Sequence, residues 1–186
     1  MAVAHLVLVR SQTYRPVKPT KIDLNDYQKL VETYHSESDR AAALLAGSFV
    51  EHYLAEYLKT CYLVKDPDID DLFHGFGPMA TFSQRISIAH AVGAIDKGTM
   101  DELRALKEIR NHFAHHPRDA KFSDSVLDKY FNKLGPAKNP AFDASGNGPL
   151  TDRRLIYLFT VSWFVMQVHN AMLAKGKPVP EINNET

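Results

Sequence analysis

Residues 81–124 read TFSQRISIAHAVGAIDKGTMDELRALKEIRNHFAHHPRDAKFSD, and this stretch decides the fold. Thr81 and Gln84 have the spacing of a capping box, as do Thr99 and Glu102. In that motif the hydroxyl accepts from the N3 amide, and the longer side chain returns to the cap amide. After Thr81 the apolar residues Phe82, Ile86, Ala89 and Val92 fall at helical spacing, with Gly93 and Gly98 available to end or turn the chain. After Thr99 come Leu103, Leu106, Ile109 or Arg110, and Phe113 at the same period. Pro117 disfavours helical geometry at His116, so the second helix is expected to stop near His115. The dense polar cluster Arg110-Asn111-His112-Phe113-Ala114-His115-His116 then occupies a last helical turn, held to a core by one apolar face.

Upstream, residues 39–64 predict a long helix. Its apolar positions, from Ala41 and Leu44 through Phe49, Leu54 and Leu58 to Tyr62, spread around most of the circumference, as expected of a central helix packed on several sides. Arg40, Ser48 and Glu51 form a polar stripe among them. A carboxylate in mid-helix needs a partner if buried, and Arg85 and Arg110 are the candidates. Glu51 reads as a structural ion pair or surface group on one view, and as part of a functional site on the other. Residues 65–80 (KDPDIDDLFHGFGPMA) read as a loop pinned by Leu72, Phe73 and Phe76. Its acids lack the glycine and terminal Glu of a calcium loop.

Residues 1–20 read as an irregular arm. Asp23 or Asn25 caps a short helix through Leu30 and Val31, and residues 36–39 interrupt it. Ser123 is placed to cap a helix running through Val126, Leu127, Tyr130, Phe131 and Leu134. Residues 135–150 form a punctuated surface loop, Thr151 opens the last long helix, and residues 176–186 form an extended or disordered tail. Repeats and strand pairs are absent from the pattern. The expectation is one all-α domain over residues 21–175, a bundle of about five or six helices.

Composition narrows the function. The chain has 186 residues, 45% of them hydrophobic, which suits one domain with a full core. Acidic and basic residues balance at 22 each, so the basic footprint of a nucleic-acid binder is missing. A helix–turn–helix over residues 91–110 would place Arg104 and Lys107 beside Asp101, Glu102 and Glu108, which argues against direct DNA readout. Cys61 is the only cysteine. It excludes an intramolecular disulfide and fits a reducing cytoplasm. Residues 155–174 are long enough to span a bilayer, but Gln167, His169 and Asn170 favour a buried bundle or dimer helix over a membrane span. The dimer face is expected around Trp163 and Phe164.

In the polar cluster, Arg110 and His115 are separated by about 140° on a regular helix and converge only if the last turn loosens. Together, a guanidinium and an imidazole suit metal-free phosphodiester cleavage, the Arg stabilising phosphate charge and the His moving a proton. The structural alternative is equally concrete, since basic groups in a last turn bond free carbonyls and complement the helix dipole. His112 and His116 have the spacing of two ligands on one face, with Glu108 one turn earlier and His90 or His74 as third candidates. The His-Glu-x-x-His pattern is not present, and neither a metal nor a cofactor is expected.

The block from Leu72-Phe73 through Gly77-Pro78, Thr81-Phe82-Ser83, Arg85, Gly93-Ala94-Ile95, Ile109-Arg110-Asn111, Phe113-Ala114-His115 and Phe122-Ser123-Asp124 resembles the mannitol-operon repressor (MltR) family. Arg40, Ser48, Glu51 and Leu54 fit that family's long helix, and the resemblance covers roughly residues 38–174. It implies a helical, self-associating regulator, expected as a homodimer, that lacks its own DNA-binding motif and works through protein partners. The same cluster is similar to the HEPN superfamily of dimerising helical bundles, whose active members are metal-independent RNases with an Arg-x4–6-His motif. That resemblance implies Arg110 on the scissile phosphate, His115 in proton transfer, Asn111 as the residue following the Arg and RNA as substrate, with Glu51 in support. A regulator is the first expectation, a HEPN-type endoribonuclease (a toxin or defence effector) the second and a non-catalytic interaction module the third.

Overall fold

A computed structural model describes Tyr34, residues 37–138 and residues 150–179. The expected N-terminal arm and short helix, most of the loop after residue 138 and most of the tail lie outside the described residues. Among those described there are six α-helices and two 3-10 segments and no strand, an all-α arrangement as the periodicity predicts.

Helix α1 (Asp39–Cys61) begins where the Ser38 hydroxyl accepts from the Ala41 amide at 3.2 Å. Ala42, Ala43, Ala46, Val50, Tyr53, Leu54, Tyr57 and Leu58 are buried along it, on several sides of the helix. A 3-10 segment, Pro67–Phe73, follows, capped by Asp66 accepting from the Asp68 amide. Helix α2 (Phe82–Ala91) carries the expected Thr81–Gln84 capping box, with both reciprocal bonds formed. It ends in a Schellman turn: Gly93 stands at φ 72°, its amide donates to His90 O, and Ala94 N donates to Ala89 O.

Helix α3 (Lys97–His115) starts three residues earlier than a Thr99 cap would have it, because the Asp96 carboxylate accepts from the Thr99 amide at 2.7 Å. A carboxylate one turn upstream thus displaces the hydroxyl as cap, and Glu102 turns away to accept from the Gly135 amide. The helix ends at His115, with His116 as cap, where Pro117 required it. The single helix expected after Ser123 is broken into a 3-10 turn (Ser125–Leu127) and α4 (Asp128–Phe131), and a further short helix, α5 (Gly135–Lys138), opens the stretch expected to be a loop. Asp124, at the cap position of the 3-10 turn, spends its carboxylate on Lys121 N and His112 instead. The burial period survives the break, since Leu127, Phe131 and Leu134 all face the core.

Helix α6 (Arg153–Ala174) is capped by Asp152, which accepts from the amides of Arg154 and Leu155, rather than by Thr151. It is long and apolar enough to cross a membrane, yet 67% of its most apolar window is buried inside the molecule. Phe164 belongs to this core at 6% exposure, whereas Trp163 stays partly exposed at 38%.

The pairings fix the topology. Asp39 bonds Arg154, Ala43 O accepts from the Tyr157 hydroxyl, and Tyr53 meets His169, so α1 and α6 run parallel. Arg40 reaches Phe113 O and Glu51 reaches Arg110, so α3 runs antiparallel to α1. Helix α2 packs on α3 and α1. Tyr53, Tyr157, Phe113, Leu54, Leu58 and Ile109 are fully buried where these helices meet, each side chain worth about 1.5–3 kcal/mol in burial.

Candidate functional site

The site is built where α3 crosses α1, and Gly47 makes that crossing possible. A Cβ there would lie 2.8 Å from Arg110 Cγ and 2.9 Å from Tyr157 Oη. With only hydrogen at Gly47, the Arg110 stem and the Tyr157 hydroxyl both close on α1 there, and the guanidinium reaches the next turn. There Arg110 Nη2 meets Glu51 Oε2 at 2.7 Å, while Arg85 Nη1 meets Glu51 Oε1 at 3.3 Å. The Glu51 side chain is 18% exposed. Its need for a partner is thus met by both arginines that the sequence nominated.

Each arginine has a second engagement. Arg85 Nε donates to Met79 O at 2.8 Å, and its Nη2 donates to Phe73 O and Ala80 O. Its guanidinium stands 5.6 Å from the Phe73 ring centre. Arg110 Nη1 donates to Asn111 Oδ1 at 3.1 Å. Tyr157, wholly buried, donates its hydroxyl to Ala43 O. Desolvation holds that hydroxyl far above the usual tyrosine range, with the Arg110 charge pulling the other way.

The last turn of α3 does not loosen: it stays α-helical through His115, and the His116 amide donates to His112 O at 3.0 Å. Arg110 therefore turns in toward α1, while His115 leaves the helix elsewhere and is exposed, with no side-chain hydrogen bond to a described residue. Asn111 lies one turn before His115 on the same helix face. Within one chain the structure joins Glu51, Arg110 and Asn111, and leaves His115 beside Asn111 at the surface.

The two remaining histidines do structural work that spacing could not assign. His112 Nε2 and Asp124 Oδ2 are 2.8 Å apart, clasping the segment after α3 to the helix. The Lys121 amide, and after it His112, hold the Asp124 carboxyl below the usual carboxylate range. Arg153 donates to the carbonyls of Phe122 and Asp124. His116 Nδ1 sits 2.9 Å from His112 O, and the two rings lie tilted at 32° with centres 4.5 Å apart. The imidazole on a last-turn carbonyl is thus His116, one residue beyond His115. Glu108 pairs with Lys107, and His90 Nδ1 lies near Ile95 O. Among the described residues no three His, Cys, Asp or Glu side chains are grouped to share a metal ion.

Three features were missed by sequence reasoning: the Gly47 crossing, the His112–Asp124 clasp and the exposure of Phe76. Phe76 was expected to pin residues 65–80, but Phe73 and Met79 fill the core there and Phe76 stands in solvent. Only Gly47 left a signal, a glycine inside a strong helix one turn from the polar stripe. A cleft of about 540 Å³ opens at the far end of the bundle, between Lys59, Val64, Ile69, Lys175 and Pro178. None of the side chains at the α1–α3 crossing lines it.

Comparison with curated proteins and with solved structures finds no match. The family described as Mannitol repressor (MtlR) matches residues 41–168. That span takes in nearly all of α1, the Glu51–Arg85–Arg110 cluster, the whole of α3 and most of α6, and it points to a repressor-like regulatory role. By that match, over well more than half its length, the chain belongs to the mannitol repressor family.

Proposed function

We propose that this chain is a cytoplasmic transcriptional regulator that acts through protein contacts, without reading DNA itself. The observation that carries the reading is the closed state of the Glu51–Arg85–Arg110 cluster. Arg110, the group a phosphodiesterase would aim at phosphate, spends its strongest bond on Glu51 at 2.7 Å, and a phosphate would have to displace that carboxylate. A phosphate ligand would also meet a chain of zero net charge. The cluster acts as a tie between α1, α2 and α3. A homodimer remains the expected assembly.

The second reading, a metal-independent endoribonuclease, is supported by one geometry. His115 is exposed next to Asn111, and Asn111 accepts from Arg110. In a dimer that paired two such turns, His115 of one copy would work with Arg110 of the other.

The test has two arms. Single-stranded RNA of mixed sequence is incubated in EDTA with wild type, His115→Ala and Arg110→Ala, each checked for folding. In parallel, transcripts are profiled in a strain deleted for the chain. The expected outcome is intact RNA, with mannitol-utilisation transcripts raised by deletion and no shift of their promoter DNA by the purified chain alone. Cleavage by wild type that both folded variants lose would overturn the regulator in favour of the RNase.

A further inference from the structure

Phe76 is an apolar side chain that buries nothing. It is 109% exposed, at the tip of the turn joining the 3-10 segment to α2. An aromatic ring left in water forgoes the roughly 1.5–3 kcal/mol its burial would contribute, so it adds nothing to the stability of this fold. Its support is nevertheless stiff. Gly75 takes a left-handed φ of 57°. Gly77 lies so close to the backbone of Asp71 and Leu72 that a Cβ would come within 2.3 Å of Asp71 O. Gly77 N donates to His74 O, Met79 N to Leu72 O, and Ala80 N to Gly77 O. Below the turn, Arg85 binds three of its carbonyls and is itself gripped by Glu51. The central polar cluster therefore reaches the base of this one turn through Arg85.

The surroundings of the ring select among partners. The 3-10 segment that leads into the turn exposes Asp68 and Asp71, which make no ion pair among the described residues, whereas Asp70 is held by Lys59 at 2.6 Å. Two unpaired carboxylates on the segment that supports the turn oppose nucleic acid and anionic lipid surfaces. They complement an apolar protein socket rimmed with Lys or Arg. Rigid aromatic residues entering such sockets are the usual centres of binding energy, because little side-chain freedom is lost on docking.

We infer that Phe76 is the anchor by which this chain seizes a protein partner, its ring filling an apolar socket and Asp68 and Asp71 meeting a basic rim. The inference rests on the regulator reading and names its contact residue. The Glu51–Arg85 pair serves it by holding the turn in its binding shape.

The test uses the full chain in its host, with a benzophenone-bearing phenylalanine at position 76 and, as control, at the exposed Val126. One protein adduct is expected from position 76, absent from position 126 and lost when Asp68→Lys and Asp71→Lys are added. Phe76→Ala should release regulated transcripts as fully as deletion does, with an unchanged melting temperature, and weaken the cross-linked partner's binding about thirtyfold or more. Phe76→Trp should restore regulation. Wild-type regulation by Phe76→Ala, or an adduct made only to lipid or to a second copy of the chain, overturns the anchor. If deletion itself changes no transcript, the regulator reading has failed and the anchor with it. If deletion acts but Phe76→Ala does not, only the anchor has failed.

Discussion

Replacing Gly47 with Ala sets two effects of opposite sign against each other. In a helix interior, Gly→Ala stabilises by roughly 0.5–1 kcal/mol through backbone entropy. Against this stand contacts of 2.8 Å to Arg110 Cγ, 2.9 Å to Tyr157 Oη and 3.1 Å to Arg110 Cβ. The Cβ of Arg110 is fixed by α3, and Tyr157 is packed on all sides, so neither moves without shifting a helix. Overpacking of this kind costs about 1–3 kcal/mol. Displacing the Tyr157 hydroxyl from Ala43 O adds the penalty of a buried unpaired donor, about 1–3 kcal/mol. The clash therefore wins, and the variant is expected to lose about 1–5 kcal/mol in urea unfolding with an unchanged m-value. Tyr157→Phe removes the atom at 2.9 Å. The double variant should recover part of the loss, a coupling of about 1 kcal/mol in a double-mutant cycle. A Gly47→Ala protein as stable as wild type, or a cycle with no coupling, would refute the reading of Gly47 as the crossing point.

Glu51→Gln leaves two guanidinium groups facing a neutral amide at a site 18% exposed, and should destabilise by about 1–3 kcal/mol, below the figure for a fully buried pair; thermal melting checks it. Asp124 has a folded pKa below its unfolded value of about 3.9, so its contribution is present above that value and lost as pH falls through the folded pKa. Asp124→Asn should remove this part of the acid limb of a stability-versus-pH curve, and an unaltered limb would contradict the clasp. Glu102 behaves oppositely. Burial raises its carboxyl, the Gly135 amide only partly offsetting this, so its penalty is absent below the unfolded pKa of about 4.3 and complete above the folded one. Glu102→Gln should therefore be more stable than wild type at neutral pH and equal to it near pH 3, as read by denaturant titration.

Periodicity carried the long elements because their apolar spacing is dictated by the core they enter. The Thr81 capping box and the Pro117 stop were legible because cap and stop chemistry is local. The cap of α3 was misread as Thr99, since Asp96 offers an equally good acceptor and only the backbone geometry chooses between them. Glu51 was traceable to Arg85 and Arg110 because a mid-helix carboxylate among apolar residues demands a cation. His112 and Asp124 carry no such demand, being ordinary at a helix end and in a turn, and only the fold brings them within 2.8 Å. The helix after Ser123 had the right burial period but the wrong continuity: the cap position is Asp124 and not Ser123, and its carboxylate is taken by Lys121 N and His112. Phe76 looked like a pin because aromatic residues in loops usually are.

The parallel pairing of α1 with α6 sets the timing of folding during synthesis. Tyr157 and the Ala43 carbonyl it binds are 114 positions apart, and α1 leaves the ribosome long before its main packing surface exists. At ordinary elongation speeds of about 5–20 residues per second, α1 waits roughly 6–20 s for α6. During that interval the small, apolar flank formed by Ala42, Ala43, Ala46 and Val50 is covered only by what α2 and α3 provide. A nascent chain stalled before Arg153 would thus be a chaperone client and a protease substrate.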